Sequence, residues 1–236
     1  MKYPCFLCLW DSRADDQHWQ RKDCPVREEL VVGENNVKNE PLVDRDTILL
    51  PPFHIKLGMM KQFVKALDKI ADCFRYIRNR FPATSYKKVK AGMFDGSQIR
   101  KLMKDPAFVS HMTVVEYAAW WSYVSVVKEL GKKRADCYQN IVKQMLMNFQ
   151  TLGARMSIKL HYLFCHLGRF PDNLGEVSEE QGERLHQAIK TMETRYQGRW
   201  DRHMMSDYCW SLMPGLKPAQ LQAEIILTCL STSGLT

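Results

Sequence analysis

The chain has 236 residues, 45% of them hydrophobic and 25% charged, with a formal net charge of +8. That length can bury a sizeable core in one or two domains, and the composition excludes a disordered polymer. No apolar run approaches the roughly 18 residues a membrane span needs, and acids follow the short apolar patch at the start with no small-residue cleavage site, so an intracellular chain without membrane or leader segments is expected.

The first fifty residues are turn-rich. "YPCFLCLW" reads as a short strand or strand-like turn, "VVGENNVKNEPLV" as loop, and "TILL" as a strand-like run stopped by Pro51 and Pro52. Beyond them the chain reads as helix. Met60, Phe63, Val64, Leu67, Ile70, Ala71, Phe74, Ile77 and Phe81 recur at three- and four-residue steps as one apolar stripe, which Pro82 ends. "GSQIRKLMKD" is a short helix stopped before Pro106. "TVVEYAAWWSYVSVVKELG" runs from a Thr cap to Gly131. Tyr138, Ile141, Val142, Met145, Leu146, Phe149 and Leu152 form the next stripe, ended by Gly153. Further helices are expected over "RMSIKLHYLFCHLGRFP", "SEEQGERLHQAIKTMETRYQG", "DRHMMSDYCWSL" and "PAQLQAEIILTCL", the last with Pro218 in its first turn, before a frayed "STSGLT". About eight helices and few strands make a mainly α fold: a helical bundle with a small, irregular or short-stranded, cysteine-bearing N-terminal segment. No internal repeat, glycine-rich phosphate loop or dinucleotide fingerprint is present.

The charge is unevenly spread. Residues 1–52 carry seven basic and ten acidic groups, whereas residues 53–110 carry thirteen basic and four acidic. A concentrated basic segment reads either as a phosphate-binding surface or as a solvated helix face. Within it Lys56, Lys61, Lys65 and Lys69 recur at four- or five-residue steps, a spacing that can follow a phosphate backbone, and Lys87, Lys88, Lys90, Arg100 and Lys101 extend the charge. Trp120, Trp121, Trp200 and Trp210 fall in helical patterns and read as core or partner interface.

Eight cysteines in a reducing compartment are metal ligands or buried thiols. Cys73, Cys137, Cys209 and Cys229 stand alone in apolar helical patterns and read as buried thiols. Cys5 and Cys8 form a C-x2-C pair, which places two thiolates on one side of a zinc ion, and His161 and His166, as H-x4-H, can complete a site. One demand falls on the fold, and one detail counts against the histidine pair. The pairs are about 150 positions apart, and positions i and i+5 lie about 140° apart on a regular helix, so the helix must loosen near Gly168 for both imidazoles to reach one ion. Two rival sets stay open: His161 with Cys165, which share a helix face at i, i+4, and a local site of Cys5, Cys8, His18 and Cys24. So does the absence of any metal.

Ser178 followed by Gln181 makes a capping box, with Glu179 and Glu180 in the first turn where the helix dipole favours acids. Leu185, Ile189, Met192 and Tyr196 form the apolar stripe of that helix, and Glu180, Glu183, Arg184 and Gln187 a polar face.

Taken in order, C-x2-C, H-x4-H and the glutamate resemble the C-terminal part of the RNase H-like catalytic core of DDE transposases, in the group of Transib elements and the catalytic subunit of the V(D)J recombinase. Glu180-Gln181-Gly182-Glu183-Arg184-Leu185 resembles the E-x-G-x-(K/R)-L string around the third catalytic acid of that group. More broadly, "YPCFLCLWDSRADDQHW", "ILLPPFHIKLG", "GARMSIKLHYLFCHL", "SEEQGERLHQ" and "YQGRWD" look like a set of uncharacterised, transposon-derived invertebrate proteins. The resemblance implies a structural zinc ion on Cys5, Cys8, His161 and His166 and a remnant third acid in Glu180. It also implies a helical insertion over residues 55–153, between a zinc-hairpin-like segment at 1–54 and C-terminal helices at 154–236. The first two acids of such an enzyme lie on strands upstream of the cysteine pair. The resemblance therefore implies a fragment, inactive alone, that uses magnesium only where those acids are supplied. DNA, a second copy of the chain or an upstream transposase half are the implied partners, and the nucleus is the implied location. The alternative is a non-catalytic helical zinc module that binds nucleic acid or protein.

Overall fold

Two prolines set where the helical part begins. Pro51 is extended, and Pro52 takes the first position of α1 (Pro52–Ala66), where its missing N–H leaves no bond unmade. The "TILL" run before them, expected as a strand, pairs with nothing. A 3-10 turn at Arg45–Thr47 leads into it, and Leu50 is buried in the core. The computed structural model describes residues 1–130, 136–174 and 180–211. Among them the fold is mainly α. After α1 come α2 (Asp72–Arg80), α3 (Tyr86–Lys90), α4 (Gly96–Met103), α5 (Pro106–Val109), α6 (Val114–Glu129), α7 (Tyr138–Thr151), α8 (Ile158–Cys165), α9 (Glu180–Arg195) and α10 (Arg202–Ser211), with no strand longer than an isolated bridge. Contacts divide the chain between Glu180 and Gln181 into two compact units. The expected helix over residues 218–230, the Gly131 stop, the Ser178 and Glu179 cap and Cys229 lie outside the described residues.

The stripe from Met60 to Phe81 is two helices. Leu67 is extended, Asp68 accepts from the Ile70 backbone N–H at 3.0 Å, and Lys69 Nζ donates to the Val64, Lys65 and Leu67 carbonyls at the open end of α1. A side-chain turn therefore breaks the helix where hydrophobic spacing alone runs on. Ile70, expected inside, is 81% exposed.

In the first unit α1 packs on α6 and α8, α6 runs along α7, and α7 meets α8. Thr113 and Glu116 close a capping box that starts α6. Phe63 of α1 is fully buried between Trp120 of α6 and Phe149 of α7, with ring centroids 5.4 and 6.4 Å away. Trp120 in turn meets the edge of Phe108 at 4.9 Å. Trp121, one position on, points outward and is 57% exposed.

The α3–α4 connection is drawn tight against α1. Gly92 has φ +68°, and a Cβ there would lie 2.7 Å from the Lys61 carbonyl oxygen and 2.8 Å from its Cα. Gly92→Ala is expected to destabilise the fold by about 2 kcal/mol or more, since the left-handed backbone penalty adds to a clash with backbone that cannot rotate away. Thermal unfolding beside wild type checks this, and an unchanged midpoint would contradict it.

The N-terminal segment is held by few regular bonds. Cys8 and Val26 form one antiparallel bridge, with Leu9 N donating to Pro25 O at 2.8 Å and Arg27 N to Leu7 O at 3.0 Å. Trp19 Nε1 donates to Ala154 O at 3.2 Å, just ahead of α8. Cys5, Leu7, Cys8 and Trp10 are buried in the same core as the helices.

In the second unit Met192 of α9 packs with Met204 and Tyr208 of α10, flanked by Ile189 and Tyr196. Leu185, expected on that stripe, is 46% exposed, one turn short of the part of α9 that α10 contacts. Cys73 is buried as expected, whereas Cys137 and Cys209, expected inside, are exposed.

Candidate metal centre

Short turns and a helix end bring four side chains to one point. Cys5 and Cys8 lie on the N-terminal segment just before and within its bridge to Val26. His161 is in α8. His166 is the residue after it, with φ −124° and ψ 29°, outside helical geometry. The helix thus ends at Cys165, earlier than Gly168, and the angular objection to an i, i+5 pair disappears because the second histidine is off the helix.

Cys8 Sγ lies 3.2 Å from His161 Nε2 and 3.3 Å from His166 Nε2, and Cys5 Sγ lies 3.6 Å from His166 Nε2. All four donor atoms fall within 4.8 Å of one another. For sulfur about 2.3 Å and nitrogen about 2.0–2.1 Å from a tetrahedral ion, the sulfur–nitrogen edge is about 3.6 Å. The spacing is therefore that of ligands around a single ion, and among the described residues this is the one grouping of three or more such side chains that can hold one.

The surroundings suit such an ion. Cys5 Sγ accepts from Leu7 N at 3.4 Å, which stabilises thiolate charge there. A hydrogen bond from Cys8 holds the Cys5 thiol far below its ordinary range, and that bond, with burial, pushes Cys8 up. A metal ion binds sulfur as thiolate and would displace any proton held there. Burial lowers the His161 pKa and keeps its imidazole neutral, the form that ligates. The His161 ring stacks on Trp10, centroids 4.5 Å apart and planes 14° from parallel, which fixes its orientation.

The rival sets are not assembled. His18 is buried, but its Nε2 lies 2.8 Å from Asp11 O, and its Nδ1 sits 3.3 Å from an Asp15 carboxylate oxygen without hydrogen-bond alignment. Cys165 interacts with Cys24 instead of joining His161, and burial pushes its thiol up to about 12. Cys24 is also raised by burial. Both are protonated thiols beside the centre.

Glu180 is the first residue of α9. The lysines read as a backbone-following stripe are not equivalent. Lys56 is buried, its ammonium 5.8 Å from the centre of the Phe53 ring, and Lys69 is spent on capping α1. Arg100 is half-buried, whereas Lys61, Lys65, Lys87, Lys88, Lys90 and Lys101 are exposed. Lys61 and Lys88 face a shared cavity together with Lys159, which lies outside the basic segment and carried no signal in the sequence.

The fold and centre define a mainly α chain whose Cys2His2 cluster can hold a metal ion. Residues 1–43 match a family described as a domain of unknown function (DUF8703), and residues 52–131 match another described likewise (DUF8704). The second match begins at the first residue of α1. The cysteine pair lies in the first match and the histidine pair in neither. No curated protein and no solved structure matches the chain. No helix among the described residues is long and apolar enough to cross a membrane.

Proposed function

We propose that the chain is a transposon-derived, nuclear module that binds DNA, in which a zinc ion on Cys5, Cys8, His161 and His166 ties the N-terminal segment to α8. The observation that carries this reading is the convergence of those four donors from 153 positions apart into one tetrahedral spacing. The order of the donors and of Glu180 behind them is that of the transposase group named above, which supports the descent. The zinc is structural: four protein ligands leave no open position for water or substrate. The exposed lysines on α1, α3 and α4 supply the charge for DNA.

The test is zinc content and DNA binding of the purified chain. We expect one zinc per chain, lost in both Cys8→Ser and His166→Ala, and an affinity for duplex DNA that falls by orders of magnitude between about 50 and 200 mM salt as counterions are released. Zinc lost only in Cys8→Ser would remove the long-range site. An absence of binding at low salt would leave the second reading, a protein-interaction module, which the exposed α6 face of Val114, Tyr117 and Trp121 favours.

A further inference from the structure

A cavity of about 850 Å³ lies away from the metal centre, between α1, α3, α4 and α8. Lys61 of α1, Lys88 of α3 and Lys159 of α8 line it. Among the described residues none of the three is ion-paired. The one carboxylate on its wall, Asp95, is already engaged: its Oδ1 accepts from Gln98 N at 2.8 Å and from Ser97 Oγ at 2.6 Å. Three cationic side chains thus border one concavity, a setting that favours an anion between them.

Close backbone packing builds this cavity. Gly58 interrupts α1, where glycine costs about 1 kcal/mol relative to alanine. A Cβ there would lie 2.4 Å from Lys159 Cδ and 2.8 Å from its Cβ. The Lys159 stem thus lies in the notch that Gly58 leaves. Gly92 lets the far wall approach the Lys61 backbone in the same way. The start of α8, at Ser157 and Ile158, also opens on the cavity and adds partial positive charge.

Size and lining choose among anions. The volume far exceeds a lone phosphate and falls in the range of about 300–1,000 Å³ typical of small-molecule sites. Leu57, Met93 and Ile158 add apolar wall beside the lysines. A ligand that fits both is charged at one end and flat or apolar at the other. We propose that the cavity is a nucleotide site, with the phosphate held by Lys61, Lys88 and Lys159 and the sugar and base against the apolar wall. The nucleotide is a unit of a nucleic-acid strand or a free mononucleotide, and the choice of the strand rests on the DNA reading above.

The experiment uses the full, zinc-loaded chain. Labelled single-stranded and duplex oligonucleotides are titrated by fluorescence anisotropy, and AMP and inorganic phosphate by calorimetry. Lys61→Glu, Lys88→Glu and Lys159→Gln are compared with Lys143→Glu and Lys190→Glu, which lie off the cavity and outside the lysines assigned to DNA, and retained zinc content certifies folding. A lost charge-assisted contact corresponds to roughly tenfold or more in affinity. We expect that loss for strand and AMP in each cavity variant, and less than about threefold in the controls. AMP binding that depends on the three lysines, with no strand bound at any salt, would keep the site and overturn the DNA reading. Strand binding weakened equally by all five variants, with no AMP bound, would overturn the site and leave DNA binding to the general basic surface. Binding of neither would overturn both.

Discussion

Removing the metal with a strong chelator is expected to lower the midpoint of thermal unfolding by about 8–16 °C. A ligand present at a thousandfold over its dissociation constant stabilises the folded state by about 4 kcal/mol, and each kcal/mol moves the midpoint of a chain this size by about 2–4 °C. The effect is large here because the four donors lie at the buried contact between the N-terminal segment and α8. The segment's backbone contributes one isolated bridge, and its cysteines sit fully inside the core they share with α8. Without the ion Cys5, Cys8 and His161 are left buried without their bonds to it. Cys8→Ser is expected to start at the lower midpoint and to show no further response to chelator. Differential scanning calorimetry of both proteins checks this, and an equal midpoint with and without chelator would show that the segment is held by packing alone.

Phe63→Ala is expected to destabilise the fold by about 3–5 kcal/mol, the range for deleting a buried phenyl ring. Phe63 is fully buried, and its ring joins α1 to both α6 and α7 through Trp120 and Phe149. Three rigid helices cannot collapse onto the space it leaves, so the cavity term stays near its full value. Trp121→Ala removes a larger ring from the solvent side of α6, next to Trp120, and is expected to change stability by no more than about 0.5 kcal/mol. Urea unfolding of the two variants separates the cases. Similar losses in both would mean that the face carrying Trp121 is covered in solution.

Helices were legible where the signals were strong: the Thr113 cap and apolar run of α6, and the stripe of α7 that ends ahead of Gly153. The cut between α1 and α2 was not, because Asp68 and Lys69 end a helix through side-chain bonds that leave the apolar period intact. Leu185 was misplaced for a related reason: periodicity names a face but not how far along the helix a neighbour reaches. The four donors were one of three sets that residue type and spacing left open. Their one apparent defect came from treating His166 as helical, when the chain leaves α8 one residue earlier. The cavity was invisible in sequence, since Lys159 joins Lys61 and Lys88 only through the packing of α8 into the Gly58 notch.

X-ray absorption at the zinc edge of the purified chain tests the central claim most directly. The account predicts one zinc with two sulfur neighbours at about 2.3 Å and two nitrogen neighbours at about 2.0–2.1 Å, and loss of that signal on His161→Ala. Three or four sulfur neighbours would place Cys24 or Cys165 in the first coordination sphere, and an absence of zinc would leave the thiols and imidazoles as a merely packed cluster. Either result would contradict the site.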